Sequence, residues 1–158
     1  MVVADHDQRV SDFIIKQDPN HPENNVKYFP VEGFHIPGLI LGGDIQPKKI
    51  DSIVSQIDIP PTLLSMIGIS TDTPMIGTDL TMIDGSYVGR AIMQFNDHQA
   101  YLEGESLVVL RPGKLSLKGQ YKNKTFIPKN QKGIDELANT ALAHALWAST
   151  KYKDRSYN

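Results

Sequence analysis

The sequence predicts an α/β chain, and three patterns carry that expectation. A short β-branched run, Val2-Val3-Ala4, ends abruptly in polar residues, and a second apolar run at residues 36–41 is closed by Gly42-Gly43. The first reads as the end of a buried strand, and the second as a strand buried on both faces, as in a sheet covered by helices. Ile134, Leu137, Ala138, Ala141, Leu142, Ala145 and Leu146 recur at helical spacing and predict a terminal amphipathic helix.

The elements between these runs follow in order. Residues 5–33 form a long polar connection broken by Pro19, Asn20, Pro22, Asn24 and Asn25. A loop of that length is usually functional or mobile. A helix is expected from Asp58, a good N-cap, with Pro60 and Pro61 in the first turn, where missing N–H groups cost little. Gly68 supplies its left-handed stop. From Arg90 the pattern changes to short strands at 90–95, 99–103, 107–111 and 115–121. The turn formers Asn96-Asp97-His98 and Pro112-Gly113 separate two of the pairs, which predicts a small antiparallel meander. The organisation expected is residues 1–85 as core sheet with a site-bearing loop, and 86–158 as meander plus helix.

Composition excludes several functions. Of the 158 residues, 40% are apolar and 22% charged, which suits a globular chain able to bury a core. A formal net charge of −2 offers no basic field, so no nucleic-acid partner is expected. The absence of cysteine removes disulfides, thiolate nucleophiles and thiolate zinc sites together. The longest apolar runs are too short to span a bilayer. Met1 leads straight into the first strand run without a polar leader, which suggests a chain cut from something longer.

Asp5-His6, at the carboxyl end of the first strand, is the sharpest chemical feature. Open α/β sheets place ligands outside the carboxyl ends of their strands. A carboxylate and an imidazole on adjacent loop residues can both turn toward one cation. The dipeptide alone is weak, since Asp97-His98 repeats it in a hairpin turn. A capped loop with a solvated histidine explains the residues as well. Arg9 could bring its planar fork to a phosphate oxygen, or make only a surface ion pair. His35 precedes the second run; a structural histidine is its simpler reading and a substrate contact the alternative. Asp58 reads as a helix cap, and His98 and His144 as a turn residue and a helix residue without a role.

Several segments resemble the alkaline phosphatase and sulfatase superfamily. Val3-Ala4-Asp5-His6-Asp7-Gln8-Arg9-Val10 looks like its metal-binding Asp-His segment. Phe34-His35-Ile36-Pro37-Gly38-Leu39-Ile40-Leu41-Gly42-Gly43 looks like the following core strand. Ser55-Gln56-Ile57-Asp58-Ile59-Pro60-Pro61-Thr62-Leu63-Leu64 is similar to its Asp and Pro-Thr-Leu helix opening, and Pro74-Met75-Ile76-Gly77-Thr78-Asp79-Leu80 to its Gly-Xaa-Asp-Leu segment. Their order and spacing are family-like. Within the superfamily the resemblance is to phosphoglycerol transferases of the lipoteichoic-acid-synthase-like group.

The resemblance implies the C-terminal part of an alkaline-phosphatase-like α/β/α sandwich, with Asp5 and His6 as metal ligands and Arg9 and His35 toward substrate. It implies a divalent cation, manganese or magnesium with zinc as an alternative, that activates a threonine or serine nucleophile. That nucleophile belongs to an upstream half, so no catalytic residue is expected here; Thr62 and Thr71 are not candidates. The implied partners are a phospholipid headgroup, an envelope glycan acceptor and the missing N-terminal half of the same domain. The implied location is the cell envelope, periplasmic or extracellular, on a membrane-anchored bacterial protein. Exposed strand edges predict that this piece either associates with itself or is a proteolytic remnant. The alternatives are a sulfatase-like hydrolase, and a non-catalytic module that binds an envelope glycan, lipid or protein.

Overall fold

The computed structural model describes residues 1–5, 31–43, 45–95, 97–123 and 125–155. Its elements are the strands β1 (Val2–Val3) and β2 (Gly38–Leu39), the helix α1 (Ile59–Met66), five strands β3 (Arg90–Phe95), β4 (His98–Glu103), β5 (Ser106–Arg111), β6 (Leu115–Lys122) and β7 (Thr125–Pro128), and the helix α2 (Ile134–Asp154). β1 and β2 form one small sheet; the other strands form an antiparallel sheet in the order β3-β4-β5-β6-β7. The chain is α/β, and it divides into two compact units: residues 1–50 with 121–127, and residues 51–120 with 128–158.

The meander forms because each turn carries the residue its geometry needs. Phe95 pairs with His98 where β3 gives way to β4. Glu103 pairs with Ser106 across Gly104-Glu105, and Gly104 holds φ +56°, the positive value that tight hairpins demand at their first loop residue. Gly113 follows Pro112 with φ 76° and ψ 22°, as the third position of a type II turn requires.

The central strands β4 and β5 are closed on both faces: Ala100, Tyr101, Leu102, Leu107, Val108 and Val109 are all buried. Tyr101 and Val108 pair in register and share a core with Ile134 and Ala141 of α2, with Leu110, Leu137 and Ala138 packed around them. Leu107 and Val108 are wholly buried, each contributing about 1.5–3 kcal/mol relative to exposure. Asp135 and Glu136 in the first turn of α2, and Lys151 and Lys153 in the last, suit the helix dipole. Arg155 ends the helix in the left-handed region.

Helix α1 begins and ends as its sequence demands. Pro60 and Pro61 sit in the first turn, and Gly68 takes φ +73°. The Ile69 N–H donates to the Leu64 carbonyl at 2.9 Å and the Gly68 N–H to Ser65 at 3.0 Å, a Schellman stop.

The first two strands depart from expectation. Instead of buried strands, β1 and β2 are an antiparallel pair of two residues each, with Val2 66% and Leu39 53% exposed. Burial depends on what covers a strand. An apolar run can mark strand tendency without providing a cover. No helix among the described residues is long and apolar enough to cross a membrane.

Candidate functional site

The small sheet fixes the geometry of the predicted cation site. Val2 pairs with Leu39 and Val3 with Gly38, and the Ala4 N–H continues the ladder to the Pro37 carbonyl at 3.4 Å. Because the strands run antiparallel, the carboxyl end of β1 lies at the amino end of β2. Asp5 and His35 therefore belong to the same end of the pair, and both are exposed. His35 is positioned by a 3-10 turn, Val31–Phe34, through its N–H to the Glu32 carbonyl at 3.2 Å. The Glu32 carboxylate in turn accepts the Tyr121 hydroxyl. Burial, and then that bond and the Glu32 charge, push the Tyr121 phenol above its ordinary range.

His6 and Arg9 lie outside the described residues. Among the described residues no group of three or more His, Asp or Glu side chains is gathered to hold an ion. Asp5 by itself offers a hard oxygen donor at an exposed strand end, which fits part of a divalent-cation shell.

A second constellation was not expected at all, and it is built around Asp58. Asp58 immediately precedes α1, but its carboxylate makes no capping bond to that helix. Asp58 holds the expected N-cap position of α1, while its carboxylate turns back to the Ser55 N–H and closes the capping box of the 3-10 turn Gln56–Asp58. The side chain is fully buried, and its two oxygens are shared among three partners. Oδ1 accepts the Thr78 N–H at 2.7 Å and Arg90 Nη2 at 2.9 Å. Oδ2 accepts the Ser55 N–H at 2.8 Å and Arg90 Nη1 at 3.3 Å. This is a forked guanidinium–carboxylate pair, the strong geometry for such groups.

Arg90 opens β3, and its guanidinium also donates to the Ile76 carbonyl at 3.1 Å and the Tyr87 hydroxyl at 3.4 Å. Buried Thr62 extends the network. Its hydroxyl donates to the Asp58 carbonyl at 2.6 Å and accepts the Leu80 N–H at 2.9 Å. Ser55 joins the sheet, donating to the Arg90 carbonyl at 3.0 Å and accepting the Ile92 N–H at 3.0 Å. Asp79 accepts the Thr81 N–H at 2.9 Å and hydroxyl at 2.7 Å. Partial burial works to raise its pKa, but the bonds from Thr81 and Ser65 outweigh it and hold the carboxyl below its usual range.

With every strong acceptor direction of Asp58 occupied, the cluster cannot act as a general acid, a base or a metal ligand. It ties α1, the segment 74–80 and β3 together. Sequence reading missed Arg90; the available signal was an arginine opening an otherwise apolar strand that is followed by a buried core.

No protein-family model matches the chain. The fold is similar to a crystal structure of a protein in the alkaline phosphatase superfamily from Vibrio parahaemolyticus, at 40% sequence identity and a TM-score of 0.82 over 99% of this chain. The α/β arrangement with its five-stranded antiparallel sheet and terminal helix matches an alkaline-phosphatase-like fold. That agreement supports the superfamily. The chain spans 35% of the relative's length.

Proposed function

We propose that this chain is the C-terminal part of a metal-dependent phosphoglycerol transferase, or a related phosphodiester-cleaving enzyme, acting on glycerophospholipid headgroups of the cell envelope. The observation that carries this reading is 40% identity with an alkaline phosphatase superfamily protein along 99% of the chain. The Asp-His segment at the end of β1 and the exposure of Asp5 support the position of the cation site.

In this reading Asp5 and His6 provide an oxygen and a nitrogen donor to a manganese or magnesium ion. The cation, when bound, supplies charge stabilisation for the transferring phosphoryl group and acidifies an attacking hydroxyl. Arg9 takes a phosphate oxygen, and His35, at the same end of the strand pair as Asp5, reaches the headgroup. No residue of this stretch serves as nucleophile. Thr62 is buried, with its hydroxyl committed to the Asp58 carbonyl and the Leu80 N–H, so it is not the attacking group. The acceptor is an envelope glycan, and the site works outside the cytoplasmic membrane.

Calorimetry with manganese on the polypeptide that includes the upstream half tests this. Asp5→Ala and His6→Ala are each expected to weaken binding at least about tenfold, the loss of one ligand being worth more than about 1.4 kcal/mol. Both should abolish turnover of a chromogenic phosphodiester, and residues 1–158 alone should show no multiple turnover. Manganese affinity unchanged in both variants would remove the basis of the assignment.

A further inference from the structure

We propose that His144 is a proton-sensitive seat for helix α2, holding the helix on the sheet while neutral and loosening it when protonated. This device does not depend on the proposed reaction.

His144 lies on the sheet-facing side of α2, one turn after buried Ala141. Its ring packs on that of Tyr101 in β4, with centroids 5.2 Å apart and planes tilted by 32°. Nδ1 is closed off from solvent and has no hydrogen-bond partner among the described residues. A neutral imidazole can leave that nitrogen as a bare acceptor, at modest cost. An imidazolium must carry a proton on both nitrogens, so Nδ1–H becomes a charged donor without an acceptor in a closed apolar contact.

The surrounding charges do not reverse that penalty. From β3, Arg90 opposes a second positive charge, while Asp58 ahead of α1 and Glu103 of β4 favour it. Asp58 is already neutralised by the Arg90 fork, with Nη2 to Oδ1 at 2.9 Å. Glu103 accepts the Tyr101 hydroxyl at 3.3 Å. That phenol is itself pushed up to about 12, first by burial and then by Glu103, so it stays protonated and adds no charge. On α2, the residues a turn away are Thr140, Ala141, Trp147 and Ala148, which do not titrate. Burial first, and Arg90 second, hold the imidazole below its ordinary value.

The sign follows from linkage. Above about pH 6.5 the histidine is neutral whether α2 is seated or not, and the seat is unaffected. Below that value the released form takes the proton first, so seating is lost progressively until the pH falls under the depressed value of the seated form. Across that window a single proton shifts the equilibrium by up to about tenfold per pH unit.

The test uses the whole chain and its single tryptophan, Trp147, which rides on α2. Hydrogen exchange of the α2 amides and Trp147 fluorescence are followed between pH 7.5 and about 5, beside an NMR titration of the His144 ring. The expected result is an imidazole titrating below its ordinary value, with α2 protection falling several-fold in the same window. A His144→Phe variant keeps a ring against Tyr101 and removes the proton site, so it should lose that dependence. Titration of His144 at or above about 6.5, or the same pH response in the Phe variant, overturns the proposal. The titration needs no substitution and decides the matter even if the variant folds poorly.

Discussion

Arg90→Met is expected to destabilise the unit formed by residues 51–120 and 128–158 by about 3–5 kcal/mol, the usual cost of removing one partner of a buried ion pair. The magnitude comes from what is left behind. Asp58 is fully buried and Arg90 only 11% exposed, so the abandoned carboxylate would keep two N–H partners and lose its whole compensating charge. The Ile76 carbonyl would also lose a donor. A loss of that size is a large share of a domain's entire stability. Arg90→Lys should recover only part of it, because an ammonium cannot bond both carboxylate oxygens in the forked geometry. Lys118→Met is the control: its 2.5 Å pair with Asp135 is solvent-exposed and should be worth less than about 1 kcal/mol. Urea unfolding midpoints compare the three. A loss below about 1 kcal/mol for Arg90→Met would mean that the guanidinium does not hold Asp58 in place.

Where the sequence was legible, the signal was local. The meander could be read because its strands are short and punctuated by residues with fixed turn chemistry. The expected strand at 90–95 is found as Arg90–Phe95. Helix α1 was readable from two prolines and one glycine. β7 was missed because Thr125–Pro128 is four residues long and includes a proline, a composition that reads as loop. The reading of Asp58 as a cap was incomplete for the opposite reason. Capping is a rule about the next few residues, whereas the partner that claims this carboxylate stands 32 positions away. The exposure of β1 and β2 was also out of reach, since an apolar run does not specify its cover. At the candidate site Asp5 and His35 could be named, but only the antiparallel register brings them to one end.

The segments that carried the family resemblance have a physical explanation, and for two of the four it is not chemistry. In the stretch from Ser55 to Leu64, Ser55, Asp58 and Thr62 are the polar groups that bind α1 to β3 and to the segment 74–80. In that segment, Thr78 and Leu80 each give a backbone N–H to this cluster, and Asp79 turns the chain through Thr81. These residues specify a buried polar joint. They identify the fold, and the proposed chemistry rests on the strand end instead.

The glycine of that joint gives the second large expected effect. A Cβ built on Gly77 would stand 1.8 Å from the Ile57 carbonyl oxygen, 2.7 Å from its carbon and 3.0 Å from Pro61 Cγ. Carbon and oxygen ordinarily approach no closer than about 3.3 Å, so Gly77→Ala demands movement of more than an ångström. The obstruction is backbone, and it cannot rotate away. Ile57 lies in the 3-10 turn Gln56–Asp58 that presents Asp58 to Arg90, so neither side of the contact is free to yield. Displacing the segment instead would stretch the Thr78 bond to Asp58 at 2.7 Å and the Leu80 bond to Thr62 at 2.9 Å. Overpacking costs about 1–3 kcal/mol and each weakened buried bond about 1 more, so a loss of about 3 kcal/mol or more is expected. Gly85 provides the comparison, because a Cβ there meets nothing within 4 Å. Gly85→Ala should change stability by less than about 0.5 kcal/mol in either direction, while Gly77→Ala lowers the thermal midpoint by many degrees. Equal midpoints for the two variants would show that the segment does not lie against the start of α1.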